Sequence, residues 1–85
     1  MLAFDNTAWE EYLYFKSKDK KISKRIDMLL KDCIRNPFDG LGKPERLKGN
    51  LQGYYSRRIT DEHRLVYRFD DNILIIASCR FHYKK

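Results

Sequence analysis

Tyr54-Tyr-Ser-Arg-Arg-Ile-Thr60, His63-Arg-Leu-Val-Tyr-Arg-Phe69 and Ile73-Leu-Ile-Ile-Ala-Ser-Cys-Arg-Phe81 read as three successive strands. Each shows the period-two alternation of a half-buried strand. Asp70-Asp-Asn72 between the last two is turn chemistry. Alternation sorts the side chains by face. Tyr55, Ile59, Leu65, Tyr67, Phe69, Ile73, Ile75, Ala77, Cys79 and Phe81 form the more apolar set. Arg58, Arg64, Arg68, Arg80 and His82 share the other face, together with Val66, Leu74 and Ile76. A two-residue hairpin after Thr60 would set Ile59 opposite Arg64 and split the apolar set. The turn between Thr60 and Arg64 is therefore predicted to have an odd residue count or a bulge. The loop before Tyr54, or a partner, is expected to cover the apolar part of the basic side.

Upstream the period changes to that of a helix. Asp19 can cap a helix whose apolar residues are Ile22, Ile26, Leu29, Leu30, Cys33 and Ile34, with lysines opposite. Asn36-Pro37 ends it. Thr7-Ala-Trp-Glu10 fits a capping box opening a shorter helix to about Ser17, with Trp9, Tyr12 and Leu13 on one face. Residues 1–5 read as a short strand, and Phe38 to Pro44 as a loop. The expected fold is α+β: two N-terminal helices packed on one face of a small, mainly antiparallel twisted sheet, with residues 1–85 as a single domain.

Of 85 residues, 42% are apolar and 14% aromatic, too many for a disordered chain. Two cysteines, Cys33 and Cys79, lie among apolar neighbours and read as buried free thiols. No CxxC or HxxxH occurs, and His63 and His82 lack cysteine partners at ligand spacing, so no metal or cofactor is expected. No run approaches the ~18 apolar residues of a membrane span. The start shows no basic then apolar segment of a secretory signal, so a cytoplasmic address is expected. Basic residues exceed acidic ones by 18 to 12. Up to Gly42 the balance is eight to seven, and from Lys43 it is ten to five, so the C-terminal half carries the field that draws polyanions.

Glu45, Lys48, Arg58, Arg64, His82 and Tyr83 suit RNA cleavage without metal. The 2′-OH must lose a proton, the 5′-oxygen must gain one, and cations must hold the charge between them. Glu45 and His82 can serve as base and acid. Arginine meets a phosphate with two parallel donors, and Arg57 and Arg80 are expected to add phosphate contacts. Tyr83 can stack on a base. The residues alone leave open a non-catalytic basic RNA-binding module.

Five stretches then narrow the choice: Glu11-Tyr-Leu-Tyr-Phe15, Gly42-Lys-Pro-Glu-Arg-Leu-Lys48, Gly53-Tyr-Tyr-Ser-Arg-Arg-Ile-Thr60, Glu62-His-Arg-Leu-Val-Tyr67 and Ser78-Cys-Arg-Phe-His-Tyr83. In order and spacing, over essentially the whole chain, the sequence resembles the YoeB (Txe/YoeB) toxins of the RelE/ParE superfamily. The resemblance implies a bacterial type II toxin that binds the ribosome and cuts mRNA in the A site until a YefM-like antitoxin neutralises it. It implies Glu45 as general base, Lys48 as the loop lysine, Arg58 and Arg64 as the phosphate-facing arginines, His82 as general acid and Tyr83 beside it. It also implies a homodimer. Arg46 departs from a proline common in the family, and Lys84-Lys85 extend past its usual terminal tyrosine. A gyrase poison on the same fold is disfavoured by the intact Glu45, His82 and Tyr83. A small open face cannot orient RNA alone, so the ribosome is expected to help position the phosphate.

Overall fold

The computed structural model describes residues 1–81. Its elements run β1 (Leu2–Phe4), α1 (Asn6–Lys18), α2 (Lys20–Arg35), β2 (Glu45–Arg46), a 3-10 turn (Gly49–Leu51), β3 (Tyr55–Arg58), β4 (Arg64–Asp70) and β5 (Ile73–Ser78). The strands make one sheet in the order β1-β5-β4-β3-β2. β1 lies parallel to β5, and the other neighbours are antiparallel. Both helices bury side chains against one face, as expected.

α2 forms where the apolar stripe lies. The Asp19 carboxylate accepts the Ile22 amide at 3.1 Å, capping the start. Ile26, Leu29, Leu30 and Cys33 are buried, with Ile22 packed beside them. Pro37 drives the preceding residue out of helical geometry, and Asn36 sits at φ −135°, ψ 79°. Ile34, one position round from Cys33, is exposed rather than in the stripe. α1 starts one residue before the expected capping box. Asp5 occupies the cap position but makes no side-chain cap bond; its carboxylate accepts instead from Arg68 at 3.0 Å. Ala8 and Phe15 are the buried residues of α1, with Tyr12 packed against the core. Trp9 and Leu13, expected on that face, are nearly half exposed; Trp9 rests on Phe4 and Tyr12.

β3 and β4 pair Tyr55 with Tyr67, Arg57 with Leu65, and Arg58 with Arg64. The connection, residues 59–63, has an odd count, as the face argument required. The amides of Ile59 and Thr60 both donate to the His63 carbonyl. Ile59 therefore stays on the helix side with Leu65, while Arg64 stays on the far side with Arg58. Asp71 and Asn72 take φ 49° and 67°, the left-handed pair that a tight two-residue hairpin needs.

β5 corrects the expected faces. Tyr67 pairs with Ile76 and Phe69 with Leu74, but Val66 pairs with Ser78, so the register slips there. Leu74 and Ile76, not Ile73, Ile75 and Ala77, enter the helix-side core. The slip makes Ala77 the extra residue of a bulge. It lets Ile76 and Cys79 both face inward, although their parities differ. Cys79 and Cys33 are buried free thiols, and burial pushes the Cys79 thiol up to about 12. Leu47, Ser56 and Val66 are also buried but stand outside the helix-side cluster. Their register places them on the far face, so the segment before Tyr54 does cover part of it.

Candidate active site

The far face is built in rows, because residues paired across antiparallel strands share a side. One row holds Glu45, Ser56, Val66 and Ser78; the next holds Arg58 and Arg64. Glu45 was expected in a loop. It lies on the short edge strand β2, hydrogen-bonded beside Ser56 and diagonal to Arg58. The two rows open onto a recess of about 350 Å³, lined by Gly42, Lys43, Pro44, Glu45, Ser56, Arg58 and Arg64. Three of the expected residues, Glu45, Arg58 and Arg64, thus meet around one hollow.

Arg58 and Arg64 stand directly opposite one another. Like charges so placed destabilise a sheet by up to about 1 kcal/mol. Arg58 is half exposed and ion-pairs with Asp61. Arg64 folds one nitrogen back onto the carbonyls of Thr60 (2.5 Å), His63 (3.1 Å) and Asp61 (3.3 Å). These contacts orient the guanidinium without neutralising it. Two guanidinium groups opposed on one face, Arg58 holding an exposed aspartate and Arg64 neutral carbonyls, are what an anion with several oxygens would bind.

The loop leading to Glu45 is fastened from behind. Arg58 donates its amide to Gly42 O at 2.7 Å. A Cβ at Gly42 would lie 2.9 Å from a Leu29 methyl and 3.1 Å from the Arg58 carbonyl, and φ is +79°, so glycine is required there. Residues 36–41 wrap around the Arg57 guanidinium. Arg57 is fully buried and donates to the Tyr67 hydroxyl (3.2 Å), Asp32 (2.7 Å), Leu41 O (3.1 Å), Asp39 O (2.9 Å) and Asn36 O. Burial works against its charge, but the Tyr67 hydroxyl and Asp32 outweigh that and hold it protonated. The Leu41 amide and Arg57 keep Asp32 below its ordinary value, and burial pushes Tyr67 up to about 12.

Arg57 therefore corrects the expectation of phosphate contact: it lies on the helix side with its donors taken. Arg80 is the second correction. Its guanidinium sits 3.9 Å from the Tyr14 ring centroid on α1, in a separate hollow with Lys18, Asp19, Glu62 and His63. The strand ends at Ser78, so alternation no longer places residues beyond it. Arg68 is on the expected face but is paired with Asp5 and lies over the Tyr54 ring. Four residues along β4 separate it from Arg64, roughly 13 Å. Lys48 is exposed at the start of the 3-10 turn and does not line the recess. His82 and Tyr83 lie outside the described residues. Lys43 and Ser56 line the recess and were not singled out from sequence; Ser56 could have been, since it shares parity with Arg58.

Among the described residues no cluster of three or more His, Cys, Asp or Glu could hold a metal. No described helix is long and apolar enough to cross a membrane.

The family of YoeB-like toxins of bacterial type II toxin–antitoxin systems matches residues 4–83. Toxin YoeB of Synechocystis sp. is 57% identical over 84 residues, covering 99% of this chain and 98% of that protein. YoeB in the heterotetrameric YoeB–YefM complex of Staphylococcus aureus superposes with a TM-score of 0.89 at 56% identity, over 98% of this chain and 97% of that one. The YoeB dimer of Staphylococcus aureus superposes with a TM-score of 0.88 at 57% identity, over 96% and 95%.

Proposed function

The chain belongs to the YoeB-like toxins of bacterial type II toxin–antitoxin systems, and from that membership we propose that it is a ribosome-dependent endoribonuclease that inhibits translation by cutting mRNA in the A site. The observation that carries the reading is the Arg58–Arg64 pair sharing one recess with Glu45. In this reading residues 1–85 act as one toxin domain in the cytoplasm.

Glu45 takes the proton from the 2′-OH, and the oxygen attacks its own 3′-phosphate. The 5′-oxygen leaves with a proton from His82, and a 2′,3′-cyclic phosphate remains. Base and acid together need no metal. Arg58 and Arg64 hold the charge that builds on the phosphorane, where a preset donor is worth about 3–4 kcal/mol. Tyr83 stacks on a neighbouring base, about 1–3 kcal/mol, and Lys48 meets the backbone outside the recess. The recess is open and shallow, so rRNA and the codon supply the remaining orientation.

The solved YoeB–YefM complex and YoeB dimer support two partners for this chain: a YefM-like antitoxin and a second copy. An acidic antitoxin segment across the arginine row would exclude RNA.

Primer extension on ribosome-bound mRNA tests the reading. Wild type should give A-site breaks ending in 2′,3′-cyclic phosphate, and His82→Ala should give none. Intact mRNA on stalled ribosomes with wild type would instead favour a non-catalytic basic inhibitor.

A further inference from the structure

Beyond Ser78 the chain leaves the sheet, and three side-chain or backbone contacts hold it. Glu11 of α1 accepts the Cys79 amide at 2.9 Å. His63 Nδ1 accepts the Phe81 amide at 2.7 Å. The Phe81 carbonyl, through which the chain continues to His82, accepts the Arg64 amide at 3.1 Å. Both polar groups of Phe81 are thereby clamped to adjacent residues, 63 and 64. Phe81 itself adopts φ +63°, a conformation bulky residues rarely take. Such a conformation persists where surrounding contacts over-determine it, and it marks functional segments.

His63 is suited to this work. It is buried, its ring meeting the buried Phe15 edge-on at 5.0 Å and Phe81 at 5.8 Å. To accept at Nδ1 it must carry its proton on Nε2, which points toward Glu62 at 3.6 Å. The ring is thus neither a core spacer nor part of the recess, whose lining does not include it.

We propose that His63 and Glu11 are positioning residues, which dock the Cys79–Phe81 segment so that the chain enters His82 from a point fixed against the Arg64 backbone. The proposal rests on the reading of His82 as the general acid. A general acid displaced by about 1 Å can lose on the order of 10²-fold in rate, so two acceptors outside the recess set the turnover of the site.

The test compares His63→Asn with His63→Leu in ribosome-dependent mRNA cleavage, and follows exchange of the Phe81 amide by NMR. Asn places an oxygen acceptor near the Nδ1 position; Leu fills the space without one. His63→Leu should lose about 10–100-fold in kcat, keep its KM for ribosomes, and expose the Phe81 amide. His63→Asn should recover both. Glu11→Gln against Glu11→Ala repeats the comparison at the Cys79 amide and decides the matter if His63→Leu does not fold. Wild-type kcat in both His63→Leu and Glu11→Ala, or a conservative variant as impaired as its disruptive counterpart, overturns the proposal. His82→Ala is run in parallel: full cleavage by that variant would defeat the reading of His82 itself, a result distinct from failure of the docking.

Discussion

Arg57 and Arg58 are neighbours on one strand, yet the strand's pleat sends them to opposite faces. Arg57 enters the helix side and gives its donors to the Tyr67 hydroxyl, the Asp32 carboxylate and three loop carbonyls. Arg58 emerges on the open face, opposed to a second arginine and relieved by one surface aspartate. The difference shows that the residue type does not decide the role. A guanidinium whose donors are saturated by its own chain is scaffold. One held at the surface by an exposed aspartate can exchange that partner for an anion. The two are linked, because the loop that wraps Arg57 leads through Gly42 to the edge strand bearing Glu45.

The comparison breaks if both arginines respond alike to substitution. Arg57→Ala should have the largest effect. It leaves Asp32 and the loop carbonyls without their partner, and breaking a buried pair costs about 3–5 kcal/mol against a total stability of about 5–15 kcal/mol. Urea denaturation measures it; a change below about 1 kcal/mol would remove Arg57 from the scaffold. Glu45→Gln should follow, lowering single-turnover cleavage by about 10²–10⁴-fold with an unchanged urea midpoint, since Glu45 is exposed. Arg58→Ala should scarcely move stability. Relief of the like-charge pair, up to about 1 kcal/mol, offsets the surface bond to Asp61, about 0–1 kcal/mol.

The smallest effect sharpens the scaffold side. Asp32 is held below the ordinary 3.8 by the Leu41 amide and Arg57. Its lowered value means its contribution is complete above about pH 4 and fades as pH falls through its folded value. Stability against pH should therefore show an acid limb below pH 4 that flattens in Asp32→Asn; an identical limb in both would contradict the Asp32 assignment.

The sequence carried the helix stop at Asn36-Pro37 and the Asp19 cap because each follows from a local rule, and the odd turn between Thr60 and Arg64 because the strands on either side had to keep their apolar sets on one face. Arg57 was expected to meet phosphate although it has the parity of Tyr55 and Ile59; alternation, applied to it as to its neighbours, would have put it on the core face. The inward parity of β5 was not readable. Ile73, Leu74, Ile75 and Ile76 are apolar in both parities, and a bulge at Ala77 is a tertiary choice. The cap expected at Thr7 fails because the helix already begins at Asn6, with Asp5 in the cap position and its carboxylate taken by Arg68, 63 residues away. The site divided likewise. Face counting reached Arg58 and Arg64, but Glu45 depended on the pairing of β2 with β3, which no local pattern announces. Arg80 was misassigned because alternation was carried past the end of the strand.

The most direct test of the central claim is the single-turnover rate at which purified Arg64→Ala cuts ribosome-bound mRNA, read beside its melting curve. The account predicts a rate lower by about 10²–10³-fold in a protein that melts no earlier than wild type. Wild-type cutting by a folded Arg64→Ala would contradict it.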